Sequence, residues 1–514
     1  MSNWIFLLCL VAGSIATARA TINNVHMFQL NSYKSKTHLS WIKKNIVKTW
    51  SQIFMLFFSL PVLLINHFVF YFVLSSVFII LWFVDKPKKV AKKPLVFTSR
   101  VKRMIITIAV FYIGVALFSF TIEPPYQYIA ILIFYVLTPI VPIAANAINA
   151  PIEVAIRRYY INDAKKIISS CPNLIIIGIT GSYGKTSVKY CLTTLLREKY
   201  NVLMTPESYN TTMGIVKTIR EQLRSTHEVF VCEMGAKKKG EIKEICDIIS
   251  PTHGIITSIG EQHLETFKTV EAILETKFEL IHATKGMAFL NGDNALIRAN
   301  LPDRLFQTYG CKSINDFFAY DIKVSSDGTT FSVNCRGEIL ANLKIELIGE
   351  HNIINVVGSI AVCKYLGVSS DEIRNQLKRI LPPPHRLQLI RKNTVTIIDD
   401  AYNSNPSGCE AALKALDLFD SCKILISPGM IELGPKQNEY NYNFGVNAAR
   451  VCDYIFLVGK KQTKPIFKGI ISTNYDPSKV FVVGTLEEAI SMAYHIEVRD
   501  SKTILFENDL PDNY

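Results

Sequence analysis

At 514 residues the chain is too long for one hydrophobic core, and about three domains are expected. A composition that is 49% hydrophobic, with 29 Phe and a mean hydropathy of +0.22, is too apolar for an ordinary soluble enzyme throughout. The net charge of +13 admits nucleic acid or an anionic membrane, but much of the excess sits in loops beside apolar runs. It therefore reads as a topology signal, and no nucleic-acid partner is expected. The eleven Cys show no CxxC pair and no zinc spacing. Cys232 and Cys422, in apolar surroundings, read as small buried hydrophobes of a reducing compartment.

The apolar runs lie at 4–18, 51–84, 104–121 and 127–148. Ala18-Arg19-Ala20 could pass for a signal-peptide cleavage site. However, no Lys or Arg precedes the first run and the segment after it is basic (Lys34, Lys36, Lys43, Lys44, Lys48), which argues against cleaved export. The 34 residues from Ser51 to Val84 exceed a single span of about 20 residues. A hairpin turning near Asn66-His67 puts the loops 34–48 and 86–103 and the pair Arg157-Arg158 on one side, as the positive-inside rule asks. Five spans follow, with the N-terminus outside and Glu123-Pro124-Pro125 as an outer turn. One long tilted helix over 51–84, giving four spans, is the alternative. The expectation is a multi-pass region in a bacterial cytoplasmic membrane, a connecting helix over 151–170, and catalytic domains in the cytoplasm.

Leu174 to Thr180 is predicted to be a buried parallel strand. It runs into Gly181-Ser182-Tyr183-Gly184-Lys185-Thr186-Ser187 and then a helix to about Lys199. Strand, Gly-rich turn and helix start form an anion cradle of backbone N–H groups and helix dipole. In such a cradle Lys185 neutralises phosphate and the Thr186 hydroxyl reaches Mg²⁺. The spacing departs from GxxxxGK[ST], because Gly178 lies one residue too early. A generic Gly-rich turn is the competing reading.

Three more apolar strands end in polar groups, at Glu233-Met234-Gly235, at Gly260-Glu261-Gln262-His263-Leu264 and at Asn291-Gly292-Asp293-Asn294. Open α/β sheets bind ligands at that edge. Singly, Glu233 would be a solvated strand end and His263 a loop histidine; beside a phosphate loop they read as a metal–nucleotide site. On a helix starting near Lys268, the apolar stripe Val270, Ile273, Leu274, Phe278, Ile281 also includes Lys277, whereas Glu271, Glu275 and Glu279 flank it. A buried ammonium is costly unless it is paired or chemically altered, and a snorkelling lysine is the alternative. Beyond the hinge Pro382-Pro383-Pro384, strands are predicted at Val395–Ile398, Lys423–Ile426, Tyr454–Val458, Lys479–Val483 and Thr503–Phe506. They alternate with helices as in a Rossmann-like domain without GxGxxG.

These motifs together resemble the Mur ligase family. Thr180 to Ser187 looks like its P-loop, Glu233-Met234-Gly235-Ala236 with Gly240-Glu241-Ile242 like its EMGA…GEI segment, and His263-Leu264-Glu265 with Lys277-Phe278-Glu279 like HLE…KxE. Gly349 to Asn355 resembles GxHNxxN, and His385-Arg386-Leu387 the domain-junction arginine. Asp399 to Pro406 and Gly429 to Gly434 resemble DDxYNxNP and GxMxELG of the D-alanyl-D-alanine-adding branch. The resemblance covers about residues 170–514.

It implies an α/β fold with a P-loop central ATPase domain and a C-terminal Rossmann-like domain, preceded here by an α-helical transmembrane region. The expected boundaries are 1–165, 166–385 and 386–514. It also implies an ATP-dependent ligase of peptidoglycan synthesis that works through an acyl-phosphate and adds D-Ala-D-Ala to a muramyl-peptide acceptor. By the same resemblance Gly181, Ser182, Gly184, Lys185, Thr186 and Ser187 hold phosphates. Asn291, His351 and Asn352 lie near the adenine, and Arg386 and Asp400 close over the nucleotide. Thr186 and Glu233 bind one Mg²⁺, and His263 with a carbamylated Lys277 a second. Lys185, Lys277, His263 and Arg386 are the expected catalytic set.

Soluble members begin with a uridine-binding domain, whereas apolar segments occupy that place here, so the acceptor is expected to be UDP-linked or membrane-presented. A ligase for another polymer such as polyglutamate would share the ATP site. A P-loop transport ATPase would need a Walker B aspartate where Glu233 stands. A dead scaffold is disfavoured because every ATP-site position is filled.

Overall fold

The computed structural model describes residues 2–45, 67–84, 94–123, 127–207, 209–262, 264–402, 404–431, 433–460, 462–498 and 501–508. Two compact units divide between Arg158 and Tyr159.

The first unit is helical. One helix runs unbroken from Ser2 to Leu30, well past the apolar run 4–18, so Ala18-Arg19-Ala20 lies inside it. Its Phe6, Cys9, Ala16 and Ala20 pack with Phe70, Tyr71, Leu74, Phe78 and Leu81 of the helix His67–Val84. Of the expected hairpin, the first leg and Asn66 lie outside the described residues, and His67 begins the described helix. The expected single run 127–148 is broken into helices Gln127–Val136 and Val141–Ser169. Pro139 causes the break: it has no N–H to give the Tyr135 carbonyl, which takes the Thr138 N–H (3.1 Å) and hydroxyl (2.7 Å) instead. The connecting helix thus starts ten residues before the expected 151. Among the described residues two helices, Trp4–Leu30 and Ser99–Ser119, are long and apolar enough to cross a bilayer, each with hydropathy 1.9, and Val69–Phe83 is a shorter apolar one.

In the second unit the first sheet has nine described strands in the order β2-β3-β1-β4-β5-β6-β7-β8-β9. These are β1 Ile175–Thr180, β2 Val202–Met204, β3 Val229–Glu233, β4 His253–Ile256, β5 Ala288–Asn291, β6 Phe306–Gly310, β7 Phe317–Ser325, β8 Gly328–Cys335 and β9 Glu338–Ile345. Pairing is parallel from β2 through β7, and β7-β8-β9 is an antiparallel extension. Alternation along β1 sends Ile177 and Ile179 to one face, with Val188 and Leu192 of the helix Lys185–Leu196 and Val356 and Ile360 of the helix Glu350–Tyr365. Ile176 goes to the other face, against the helices Thr212–Gln222, Glu241–Ile249 and Val270–Ala283. Covered on both faces, the central strands are apolar throughout, as parallel strands are.

The second sheet runs β10-β11-β15-β12-β13-β14. Its strands are β10 Gln388–Lys392, β11 Val395–Asp400, β12 Cys422–Ser427, β13 Tyr454–Val458, β14 Val480–Val483 and β15 Lys502–Glu507. Only β10 is antiparallel to its neighbour.

Tyr160, Ile161, Ala164, Ile167 and Ile168 belong to the core under β1, and Arg220 pairs with Asp163 at 2.6 Å. A fragment starting at residue 159 should therefore melt cooperatively. One starting at residue 170 loses these side chains and should melt lower by roughly 5 °C. Equal melting temperatures by circular dichroism would show that this turn of helix does not belong to the catalytic core.

Candidate active site

The β1–helix turn is shaped by what surrounds it. Gly184 has φ +81°, and a Cβ there would meet the Asn355 side-chain oxygen at 2.6 Å. At Gly181, φ +152°, a Cβ would collide with the Thr257 hydroxyl. Both glycines are thus required by close approach from the β4 end and from the helix Glu350–Tyr365. Ser182 is buried; its N–H donates to the Ser258 carbonyl (2.7 Å) and its hydroxyl to the Gly260 carbonyl (3.0 Å). The turn opens the helix Lys185–Leu196, and Ser187 sits half-buried in the first helical turn.

Lys185 folds back, its ammonium donating to the carbonyls of Gly181 (2.7 Å) and Ser182 (3.1 Å). Burial lowers its pKa to about 8 against the pull of Glu233, and the Arg386 charge lowers it further. Lys277 is 2% exposed on the helix Val270–Ala283. Its ammonium lies over the Phe267 ring, 5.9 Å from the centroid, and no described carboxylate pairs with it. Burial and the neighbouring Lys185 charge bring it down to about 7. Lys185 is thus flanked by the charges of Lys277 and Arg386, with Glu233 as the opposing carboxylate.

Glu233, the last residue of β3, is 1% exposed. One of its oxygens, Oε1, accepts from Thr186 Oγ1 (3.3 Å) and Asn210 Nδ2 (3.0 Å), and Oε2 faces Lys189 Nζ at 3.1 Å. Lys189 is wholly buried and also donates to the Glu207 carbonyl. Thr186 and Glu233 are thus brought together as expected from sequence. Lys189 and Asn210 are additional residues that sequence reasoning passed over, and Asn355, the last residue of the GxHNxxN segment, had no role assigned. Lys189 carried a usable signal, one helical turn beyond Lys185 and between the apolar Val188 and Cys191.

Asn291 and Asn352 are buried and engaged locally: Asn291 Nδ2 donates to the Thr257 carbonyl (2.7 Å) and Asn352 Nδ2 to the Ile348 carbonyl (2.8 Å). His351 is exposed in the first turn of its helix. Arg386 stacks over Tyr402, 4.4 Å from the ring centroid, and faces Asp400 at the end of β11. His263 lies outside the described residues, as do Asn403 and Glu432 of the C-terminal motifs. Among the described residues no group of three or more His, Cys, Asp or Glu gathers as a metal cluster.

The sequence profile of the Mur ligase middle domain matches residues 179–363, and that of the Mur ligase C-terminal, glutamate ligase domain matches 385–507. Together they take in more than half of the chain. The chain belongs to the Mur ligase family. It is 31% identical over 291 residues to the UDP-N-acetylmuramoyl-tripeptide--D-alanyl-D-alanine ligase of Bacillus subtilis, covering 55% of this chain and 63% of that protein. It is 28% identical over 295 residues to the Escherichia coli ligase of the same name, covering 56% and 65%. The chain thus spans less than two thirds of the length of these relatives. Among solved structures, MurF from Acinetobacter baumannii superposes with a TM-score of 0.63 at 26% identity, over 69% of this chain and 77% of that one. MurF from Thermotoga maritima in complex with ADP gives 0.61 at 25%, over 69% and 80%. The Mur ligase fold of residues 159–510 is therefore common ground with these enzymes.

The two buried lysines make opposite predictions for stability. Glu233→Ala strands Lys189 without its counter-charge and should cost about 3–5 kcal/mol. Lys277→Met removes an unpaired buried cation and should cost nothing. Because the folded pKa of Lys277 is lowered to about 7, the folded protein binds fewer protons than the unfolded chain from there to the ordinary lysine range. Wild-type stability should thus rise with pH across that window, and Lys277→Met should rise less. Denaturant titrations at two pH values decide; equal pH slopes would mean that Lys277 is solvated.

Proposed function

We propose that this Mur ligase is an ATP-dependent carboxylate–amine ligase that adds D-Ala-D-Ala to a muramyl tripeptide. The observation that carries this reading is the glycine turn that opens the helix Lys185–Leu196, with Lys185 folded back on it and Thr186 set against Glu233, an arrangement completed by a polyphosphate. The peptide carboxylate attacks the γ-phosphorus, ADP leaves, and the acyl-phosphate is then opened by the amine with release of phosphate. Lys185 steadies the transferring phosphoryl group from the turn. Arg386 and Asp400, next to the hinge Pro382–Pro384, close over the nucleotide as the C-terminal domain docks with its amine. Similar solved structures hold ADP, and the D-Ala-D-Ala choice rests on the Asp399–Pro406 and Gly429–Gly434 motifs.

The residues present fit Mg²⁺ in one respect and lack a donor in another. Thr186 and Glu233 place hard oxygen donors together, as that ion requires. A second ion would fall to His263 and Lys277, and an amine is a poor ligand for it. Carbamylation replaces that buried, unpaired cation by an oxygen-donor anion. Bound Mg²⁺ would supply charge neutralisation to the phosphoryl transfer.

The reading extends to the first unit as a multi-pass anchor in the cytoplasmic membrane, with the catalytic domains in the cytoplasm. Its support is the two long apolar helices and the solvent-facing Ile106, Val110, Leu117 and Phe118, each more than 60% exposed on the helix Ser99–Ser119. Membrane presentation would then compensate for binding energy that soluble relatives draw from the uridine end.

Lys277→Ala should abolish D-Ala-D-Ala-dependent phosphate release, and small carboxylic acids should partly restore it by occupying the carbamate position. Near-wild-type turnover without additive would remove Lys277 from the mechanism. For the acceptor, kcat/KM of the full chain in lipid should be similar with UDP-linked and UDP-free muramyl tripeptide. A large preference for the UDP form would show a uridine site. Turnover with glutamate but not with D-Ala-D-Ala would move the chain to another branch of the family.

A further inference from the structure

Asp400 and Glu507 are register partners at the carboxyl ends of the parallel strands β11 and β15, so their side chains leave the same face of the sheet side by side. Glu507 is wholly buried. One of its oxygens, Oε1, accepts from the Ser404 hydroxyl (2.7 Å) and the Cys409 thiol (3.2 Å), while the buried Oε2 has no hydrogen-bond partner among the described residues. The strand ends are pinned: Asn508 Nδ2 donates to the Gly429 carbonyl (2.6 Å) and the Asn508 N–H to the Asp400 carbonyl (3.2 Å). Two carboxylates cannot lie side by side there fully ionised, so the pair needs a proton.

The charged surroundings decide where that proton sits. Asp400 faces Arg386, receives the Leu387 N–H at 3.2 Å, and has Asp399 beside it, itself paired with His385 at 2.8 Å. Glu507 lies against Ser404 and Cys409 and beside Asp400, and no ion pair among the described residues gives it a cation. Burial raises Asp400 to about 6 against the opposing pull of Arg386. Burial and the Asp400 charge push Glu507 well above the carboxylate range. Glu507 holds the proton at neutral pH.

We propose that Glu507 is a proton-holding positioning residue, whose carboxylic acid donates to Asp400 and fixes that carboxylate, singly charged, toward Arg386 and the nucleotide. The proposal rests on the reading of Asp400 as a nucleotide contact. Ionisation of the second carboxyl places two negative charges in contact, turns Asp400 away and loosens the nucleotide. The alkaline limb therefore belongs to KM for ATP, and kcat follows the phosphate-loop groups instead. A merely structural Glu507 would change stability without producing that split.

The test uses the full chain in lipid. Infrared difference spectra at neutral pH should show a protonated-carboxyl band that Glu507→Gln abolishes. Glu507→Gln, whose amide still donates but does not ionise, should keep wild-type ADP affinity at neutral pH and lose the alkaline rise in KM for ATP. Glu507→Leu should weaken ADP binding about tenfold at every pH, the loss of one charge-assisted hydrogen bond. A missing band in wild type, or an unchanged alkaline limb in Glu507→Gln, would overturn the proposal. Asp400→Asn separates the two layers: unchanged ADP affinity there sinks the reading of Asp400, whatever the infrared band shows.

Discussion

Positive charge held around the Gly181–Lys185 turn is the constraint on which the rest of the catalytic unit depends. Lys185, Lys277 and Arg386 come from three separate stretches of chain, and each depresses or opposes the next. Only the fold keeps them there: a parallel sheet covered on both faces and a turn whose glycines admit Thr257 and Asn355. On the proposed reading, such an arrangement is relieved when an anion arrives. It is a form of preorganisation, because donors aimed at developing charge need no rearrangement at the moment of reaction.

The same unit handles its buried charges in two ways. Lys189 and Glu233 neutralise each other and can be read as structure that also aims a carboxylate. Lys277 has no such partner, and Asp400 with Glu507 has a partner of like sign. In both unbalanced cases the side chain must change its protonation or its chemistry to remain buried. Unbalanced groups of this kind mark function better than salt bridges do, since a paired charge is already explained by its pair.

Much of the site was legible because it lies in short, contiguous motifs. Thr180–Ser187 and Glu233 could be placed at strand ends from hydrophobic patterning alone, and Lys277 stood out because it fell on an apolar stripe. What sequence could not supply was partnership at a distance. Nothing in Leu505-Phe506-Glu507-Asn508 reveals that Glu507 meets Asp400, since strand register is a tertiary fact. The antiparallel extension β7–β9 did leave a trace, with Phe317 and Ala319 buried between more exposed neighbours, a period-two pattern that the search for parallel strands overlooked. In the helical unit hydropathy overstated continuity: the run 127–148 is apolar throughout, yet Pro139 interrupts its backbone ladder, and composition does not register a missing N–H.

The loop after β4 shows how the two sheets of the catalytic unit communicate. Tyr183, inside the phosphate loop, donates its hydroxyl to the Glu261 carbonyl at 2.8 Å, and the Glu261 carboxylate receives Lys436 at 2.8 Å and the Tyr440 hydroxyl from the C-terminal domain. An ion pair this exposed contributes little stability. Its significance is geometric. One residue is held on its backbone side by the glycine-rich loop after β1 and on its side-chain side by the C-terminal domain. A displacement of the C-terminal domain must therefore either break the Glu261 contacts or pull on Tyr183. A weak contact suits that place if the C-terminal domain moves as proposed, because it holds the arrangement without trapping it.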